Sequence, residues 1–189
     1  KIQQLRASLR GKGFKGAVGT SSSFFDLLGE DNVDQFEQRL SEILGLAFYD
    51  VTNQVYPRKQ DYEILSTLAS MGASLHKLAF DLRILQSPPI GEMSEPFGKK
   101  QVGSSAMPFK KNPIASEKMD SLARLQAQYP RVAWDNAALS LLERTLDDSA
   151  NRRISLPEAF LGTDAILILC TNVARGLQVN ESVVARNVS

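Results

Sequence analysis

The segment Gln60–Gln86 constrains the architecture of this chain more than any other. Its apolar residues Leu65, Leu68, Met71, Leu75, Leu78 and Leu82 return every three or four positions, the spacing of one helix face. Between Ile64 and Leu75 no charged residue occurs, and Ser66, Ala69, Ser70, Gly72, Ala73 and Ser74 are all small. At helical rise the segment makes a rod of roughly 40 Å. A helix so poor in charge around its girth is expected to be buried on several sides. A chain of 189 residues offers few neighbours for that purpose, so the burial is expected to need other subunits. Pro88-Pro89 stops the helix, because proline donates no backbone hydrogen bond and restricts the residue before it.

The remaining segments follow the same period. Ile2–Leu9 reads as the last turns of a helix. Asn32–Leu46 is amphipathic through Val33, Phe36, Leu40, Ile43 and Leu44, with Asp31 or Asn32 as its cap and Gly45 at its end. A long loop, Ser87–Asn112, precedes a helix that starts at Pro113 and runs to about Leu139, bent at Pro130. Leu142–Ser155 reads as irregular, the last long helix as starting near Pro157 and ending at Gly176, and Asn180–Ser189 as a capped helix start. No strand alternation stands out. The expected fold is all-α, a bundle of long helices. Residues 1–180 are read as a central domain whose start is missing, and 181–189 as the beginning of a truncated C-terminal region.

Several function classes drop out on composition. With 22 Lys+Arg against 21 Asp+Glu the net charge is +1, which is no basis for nucleic-acid binding. Cys170 is alone and cannot form an internal disulfide, so nothing suggests an oxidising compartment, and no signal-peptide pattern is present. His76 is the single histidine, in the Leu75-His76-Lys77 run, and reads as structural; zinc sites need about three or four ligands together, so no metal is expected. No unbroken apolar run reaches the roughly 18 residues of a membrane span, so no membrane contact is expected. Lys12, Lys15, Lys99 and Lys100 read as solvated charges.

The chemistry concentrates in residues 103–113, Gly-Ser-Ser-Ala-Met-Pro-Phe-Lys-Lys-Asn-Pro. Hydroxyls beside two cations and an amide, followed by a helix start whose dipole favours anions, suit a polycarboxylate or phosphate ligand. This run resembles the signature Gly-Ser-Ser-x-Met-Pro-x-Lys-x-Asn-Pro of the fumarase/aspartase superfamily, matching every fixed position. Lys15–Thr20, Thr52-Asn53-Gln54 with Arg58, and Glu143-Arg144 with Ser149 and Arg153 resemble further segments of its branch acting on succinylated purine nucleotides.

The resemblance implies a homotetramer with active sites shared between subunits, working without metal or organic cofactor. It implies β-elimination of fumarate from adenylosuccinate, giving AMP, and from the succinylated aminoimidazole carboxamide ribotide. By the same likeness Ser104 is the base that removes the Cβ proton, and Lys110 and Asn112 hold a carboxylate and stabilise the aci-carboxylate intermediate. Glu117 orients the site. Gln54, Arg144, Ser149 and Arg153 bind the nucleotide, with Ser105 and Thr20 near the substrate. The general-acid histidine of the family lies in a segment upstream of residue 1, so this chain alone is expected to be inactive. Leu146-Asp147-Asp148-Ser149 departs from the family's Ile-Ser-His-Ser and adds negative charge near the nucleotide-binding arginines. The alternatives are another lyase or a cycloisomerase of the superfamily, or a non-catalytic helical oligomerisation relative.

Overall fold

In the computed structural model, residues 1–98, 110–142 and 146–189 are described. The helices are α1 (Ile2–Ser8), α2 (Ser22–Leu28), α3 (Glu30–Leu44), α4 (Lys59–Leu85), α5 (Ile114–Gln126), α6 (Tyr129–Ala138), α7 (Asp147–Gly176) and α8 (Glu181–Val188). Strand β1 (Met93–Ser94) pairs antiparallel with β2 (Gln178–Val179), a short ladder that the helical reading did not anticipate. Two compact units result: residues 1–67 with 130–156, and residues 68–129 with 157–189.

The first unit is closed by a phenylalanine cluster. Phe24 of α2 stacks on Phe36 of α3 at 5.5 Å between centroids, and Phe14 meets Phe36 and Phe48 edge-on. Gly45 ends α3 in the left-handed region, as its position suggested. Lys15 is buried and ion-paired with Glu37, so it is not the solvated charge expected of it. Its charge finds a carboxylate, the usual condition for burying a lysine.

In the second unit Ala79 of α4, Met119 and Ala123 of α5 and Ile166 of α7 form the core. Beside them lies a buried amide. Gln126 Nε2 donates to the Ala159 carbonyl at 3.0 Å and to Thr163 Oγ1 at 2.7 Å. Glycine makes room for it: a Cβ on Gly72 would stand 2.9 Å from Gln126 Oε1, and one on Gly162 would stand 3.1 Å from Nε2. The small residues of α4 thus serve a polar contact within this chain at Gly72, while Ser70, Ala73 and Ser74 are exposed on it.

Several boundaries moved. α3 begins at Glu30 behind Gly29, so Asp31 and Asn32 lie inside the helix and neither is its cap. The bend expected at Pro130 is a break between α5 and α6, and Pro130 sits in the first turn of α6, where a missing N–H costs nothing. By contrast α7 begins at Asp147, ten residues before Pro157, and runs through that proline. The expected irregular stretch is therefore helix from Asp147 onward. Ion pairs on Asp148 and Arg152 hold its first turns, and these outweigh the hydrogen bond that Pro157 cannot donate to Arg153. Continuity also changes the argument from length. Among the described residues α7 is the one helix long and apolar enough to cross a membrane, with mean hydropathy 1.5 over its best window. Of that window 22% is buried, and the helix buries polar Ser155 and Thr163 beside Ala159, Ile166 and Val173.

Candidate active site

α5 carries the end of the signature segment into the second unit. Lys110 and Asn112 lie just before it and Glu117 in its first turn. All three line one open cleft of about 740 Å³, together with Phe80, Arg83, Gln86, Ser87, Ser94 and Lys111. Among the lining residues the charges are Arg83, Lys110 and Lys111 against Glu117, a surplus of cations. Arg83 is held from beneath: its Nη1 donates to Asp120 Oδ2 at 2.7 Å, and Asp120 is almost wholly buried. Lys111 Nζ rests 5.6 Å from the ring centre of Phe97. Such a cleft suits a ligand with more than one negative group.

The helix start does not offer its dipole to that ligand, contrary to expectation. Glu95 Oε1 accepts the Ala115 N–H at 3.0 Å, and Glu95 Oε2 accepts the Ser116 N–H at 3.0 Å and the Ser116 hydroxyl at 3.1 Å. The anion at the N-terminus of α5 is the protein's own. The cleft's other groups suited to an anion are the side chains of Arg83, Lys110, Lys111 and Asn112.

The other expected residues lie in the first unit. Thr20 and Gln54 are exposed, Ser149 is half-buried in the first turn of α7, and Arg153 is exposed one turn further along the same face. The glycine-rich loop and the Thr52–Gln54 segment meet at Gly19, where φ is +83° and a Cβ would stand 2.1 Å from the Thr52 carbonyl oxygen. No side chain fits there. Gly19→Ala is expected to displace one of the two segments and to cost at least about 1–3 kcal/mol, from the backbone conformation alone, in an equilibrium urea titration. Ser104, Ser105 and Arg144 lie outside the described residues.

Beneath these positions is an ion network absent from the sequence reading. Arg58 Nε donates to Asp148 Oδ2 at 2.6 Å, and Arg152 Nε to Asp61 Oδ2 at 2.7 Å. The Tyr56 hydroxyl donates to Asp61 Oδ1 at 2.6 Å and accepts from Arg152 Nη2 at 2.7 Å. Burial, then the hydrogen bond to Asp61, pushes the Tyr56 hydroxyl above its ordinary pKa. Burial works against the charge of Arg152, but the Asp61 carboxylate outweighs it and the net direction is up. The extra negative charge at Asp148 is therefore met by Arg58. His76, by contrast, stacks on Phe80 and has Nδ1 3.7 Å from Asp120 Oδ1, a packing role as expected.

The sequence profile of the lyase family matches residues 1–125, well over half of the chain. The chain belongs to the lyase family. Within it, this chain is 46% identical over 185 residues to the adenylosuccinate lyase of Schistosoma mansoni, covering 96% of this chain and 38% of that enzyme. It is 42% identical over 190 residues to the adenylosuccinate lyase of Saccharomyces cerevisiae, covering 99% of this chain and 39% of that enzyme. The chain thus spans about two fifths of the length of these relatives. The crystal structure of 3-carboxy-cis,cis-muconate lactonizing enzyme from Pseudomonas putida superposes with a TM-score of 0.84, at 24% identity, over 98% of this chain and 40% of that one. The long-helix fold expected of this chain is therefore the one it has.

Proposed function

We propose that this chain is the central portion of an adenylosuccinate lyase, which releases fumarate from adenylosuccinate and from the succinylated aminoimidazole carboxamide ribotide. The observation that carries the reading is the cation-rich cleft at the start of α5, which gathers Lys110, Asn112 and Glu117. The similarity to adenylosuccinate lyases runs through both units and selects this chemistry over that of a lactonizing enzyme, whose likeness concerns the fold alone.

In this mechanism Ser104 takes the Cβ proton of the succinyl group, a role that needs nearby cations to lower its hydroxyl pKa. The electron pair left on Cβ delocalises into the adjacent carboxylate. Lys110 and Asn112 bind that carboxylate and stabilise the second negative charge as it forms. The C–N bond then breaks, its electrons pass to the nitrogen, and a histidine from outside residues 1–189 protonates it. Glu117 orients the site, Ser105 and Thr20 approach the substrate, and Gln54, Arg144, Ser149 and Arg153 bind the nucleotide, the arginines through forked hydrogen bonds. The reading calls for no metal or organic cofactor. It places the enzyme in the cytoplasm as a homotetramer with shared sites, in which the exposed Leu78, Phe80 and Ile84 of α4 find cover.

The test follows adenylosuccinate absorbance and fumarate formation with the full-length polypeptide. Fumarate release, competed by AMP and not by argininosuccinate, is the expected result. Absence of turnover in a folded full-length protein overturns it. The 189-residue chain alone is expected to release no fumarate.

A further inference from the structure

We infer that Glu95 is a positioning residue for the reaction: it fixes the first turn of α5 and thereby sets where Lys110, Asn112 and Glu117 stand. The inference rests on the lyase reading for its kinetic half only. Glu95 is 4% exposed, and among the described residues no cation pairs with it. Its carboxylate is met by the two N–H groups and one hydroxyl of Ala115 and Ser116, the donors that open α5. Charge-assisted bonds of this kind, aligned with the helix dipole, hold geometry more tightly than neutral ones.

The frame that holds Glu95 is itself tied down at three points. Immediately before it, Met93 and Ser94 pair with Val179 and Gln178 in the β ladder. Immediately after it, Pro96 packs so closely on Gly176 that a Cβ there would stand 2.6 Å from Pro96 Cβ. The Glu95 N–H donates to Gln86 Oε1 at 2.9 Å, and Gln86 Nε2 donates to the Lys111 carbonyl at 3.0 Å. The backbone between Lys110 and Asn112 is therefore clamped from one side by Gln86, and the helix that follows is clamped by Glu95. An ordinary N-cap comes from the residue next to the helix; this one reaches from a segment 20 residues upstream, with the signature run between.

The experiment compares Glu95→Ala and Glu95→Gln with the full-length polypeptide, by fumarate-release kinetics, thermal unfolding and hydrogen exchange at the Ala115 and Ser116 amides. A displacement of about 1 Å in positioned groups lowers turnover about 10²-fold, so kcat of Glu95→Ala is expected to fall by that order with KM changing far less. Glu95→Gln is isosteric but turns one acceptor into a donor, and an intermediate fall is expected. Exchange at both amides accelerates, and added formate, which returns a carboxylate to the helix start, restores part of the kcat of Glu95→Ala. Unchanged kcat per site with only a lower Tm overturns the inference, since the cap would then be structural alone. If Glu95→Ala does not fold, Glu95→Gln decides by the same readouts. If the unmutated protein releases no fumarate, the lyase reading fails by itself; unchanged amide protection in Glu95→Gln then overturns the role of Glu95, and lost protection sustains it.

Discussion

Asp61→Ala is expected to remove about 3–5 kcal/mol of stability, the cost of breaking one side of a buried ion pair. The urea midpoint should fall at unchanged slope, which marks a loss of stability without a change in the surface exposed on unfolding. The size follows from what the carboxylate does. Asp61 is 2% exposed, and its oxygens take the Tyr56 hydroxyl at 2.6 Å and Arg152 Nε at 2.7 Å. Without it, the Arg152 guanidinium keeps, among the described residues, Tyr56 and a carboxylate of Asp148 at 4.0 Å. Removing both members together is a different matter, because no charge is then left buried alone. The double variant Asp61→Ala, Arg152→Met should recover much of the loss, and a double variant as unstable as Asp61→Ala would contradict this account.

The same network sets a limit at alkaline pH. Tyr56 has its folded-state pKa raised, first by burial and then by Asp61, so the fold favours its neutral form. Its contribution is complete below the unfolded value of about 10 and is lost as pH rises through the higher folded value. Tyr56→Phe should flatten that alkaline loss while costing stability at neutral pH through two broken hydrogen bonds.

What could be read from the residues alone was what depends on near neighbours. α4 was legible because Leu65 to Leu82 repeat a helix face and Pro88-Pro89 closes it, all within one segment. Pro157 misled for a physical reason: it ordinarily marks a helix start, and only the pairing of Asp148 with Arg58, 90 residues away, shows why α7 begins earlier. α2 carried too short a pattern to be seen, and it is fixed by Phe24 stacking on Phe36 of the next helix. The same division runs through the site. Lys110, Asn112 and Glu117 are proposed from the signature, whereas Glu95, Gln86 and Arg83 make contacts that no local spacing announces. Asp148 shows the converse, since a charge that looked hostile to nucleotide binding has a partner elsewhere in the fold.

Lys110→Ala is expected to lower turnover by about 10²–10³, equivalent to about 2.7–4 kcal/mol, the range for removing one preorganised group from a developing oxyanion. Under the lyase reading the loss should appear in kcat more than in KM. The substrate carboxylate carries one charge when it binds and two once the Cβ proton has left, so the ammonium of Lys110 gains most of its interaction after binding. Lys110 is exposed in the open cleft, and its charge therefore acts fully only when substrate excludes water there. Lys110→Arg keeps the charge but replaces a compact ammonium with a planar fork, and partial activity is expected. Lys118→Ala, one position past Glu117 and outside the cleft lining, controls for loss of positive charge in general. If Lys118→Ala slows fumarate release as much as Lys110→Ala does, the effect is long-range attraction of an anionic substrate, and it should then vanish at high salt. If only Lys110→Ala slows it, and salt leaves the ratio unchanged, the charge acts at the carboxylate itself, where Asn112 stands beside it and the Gln86 clamp holds the backbone between them.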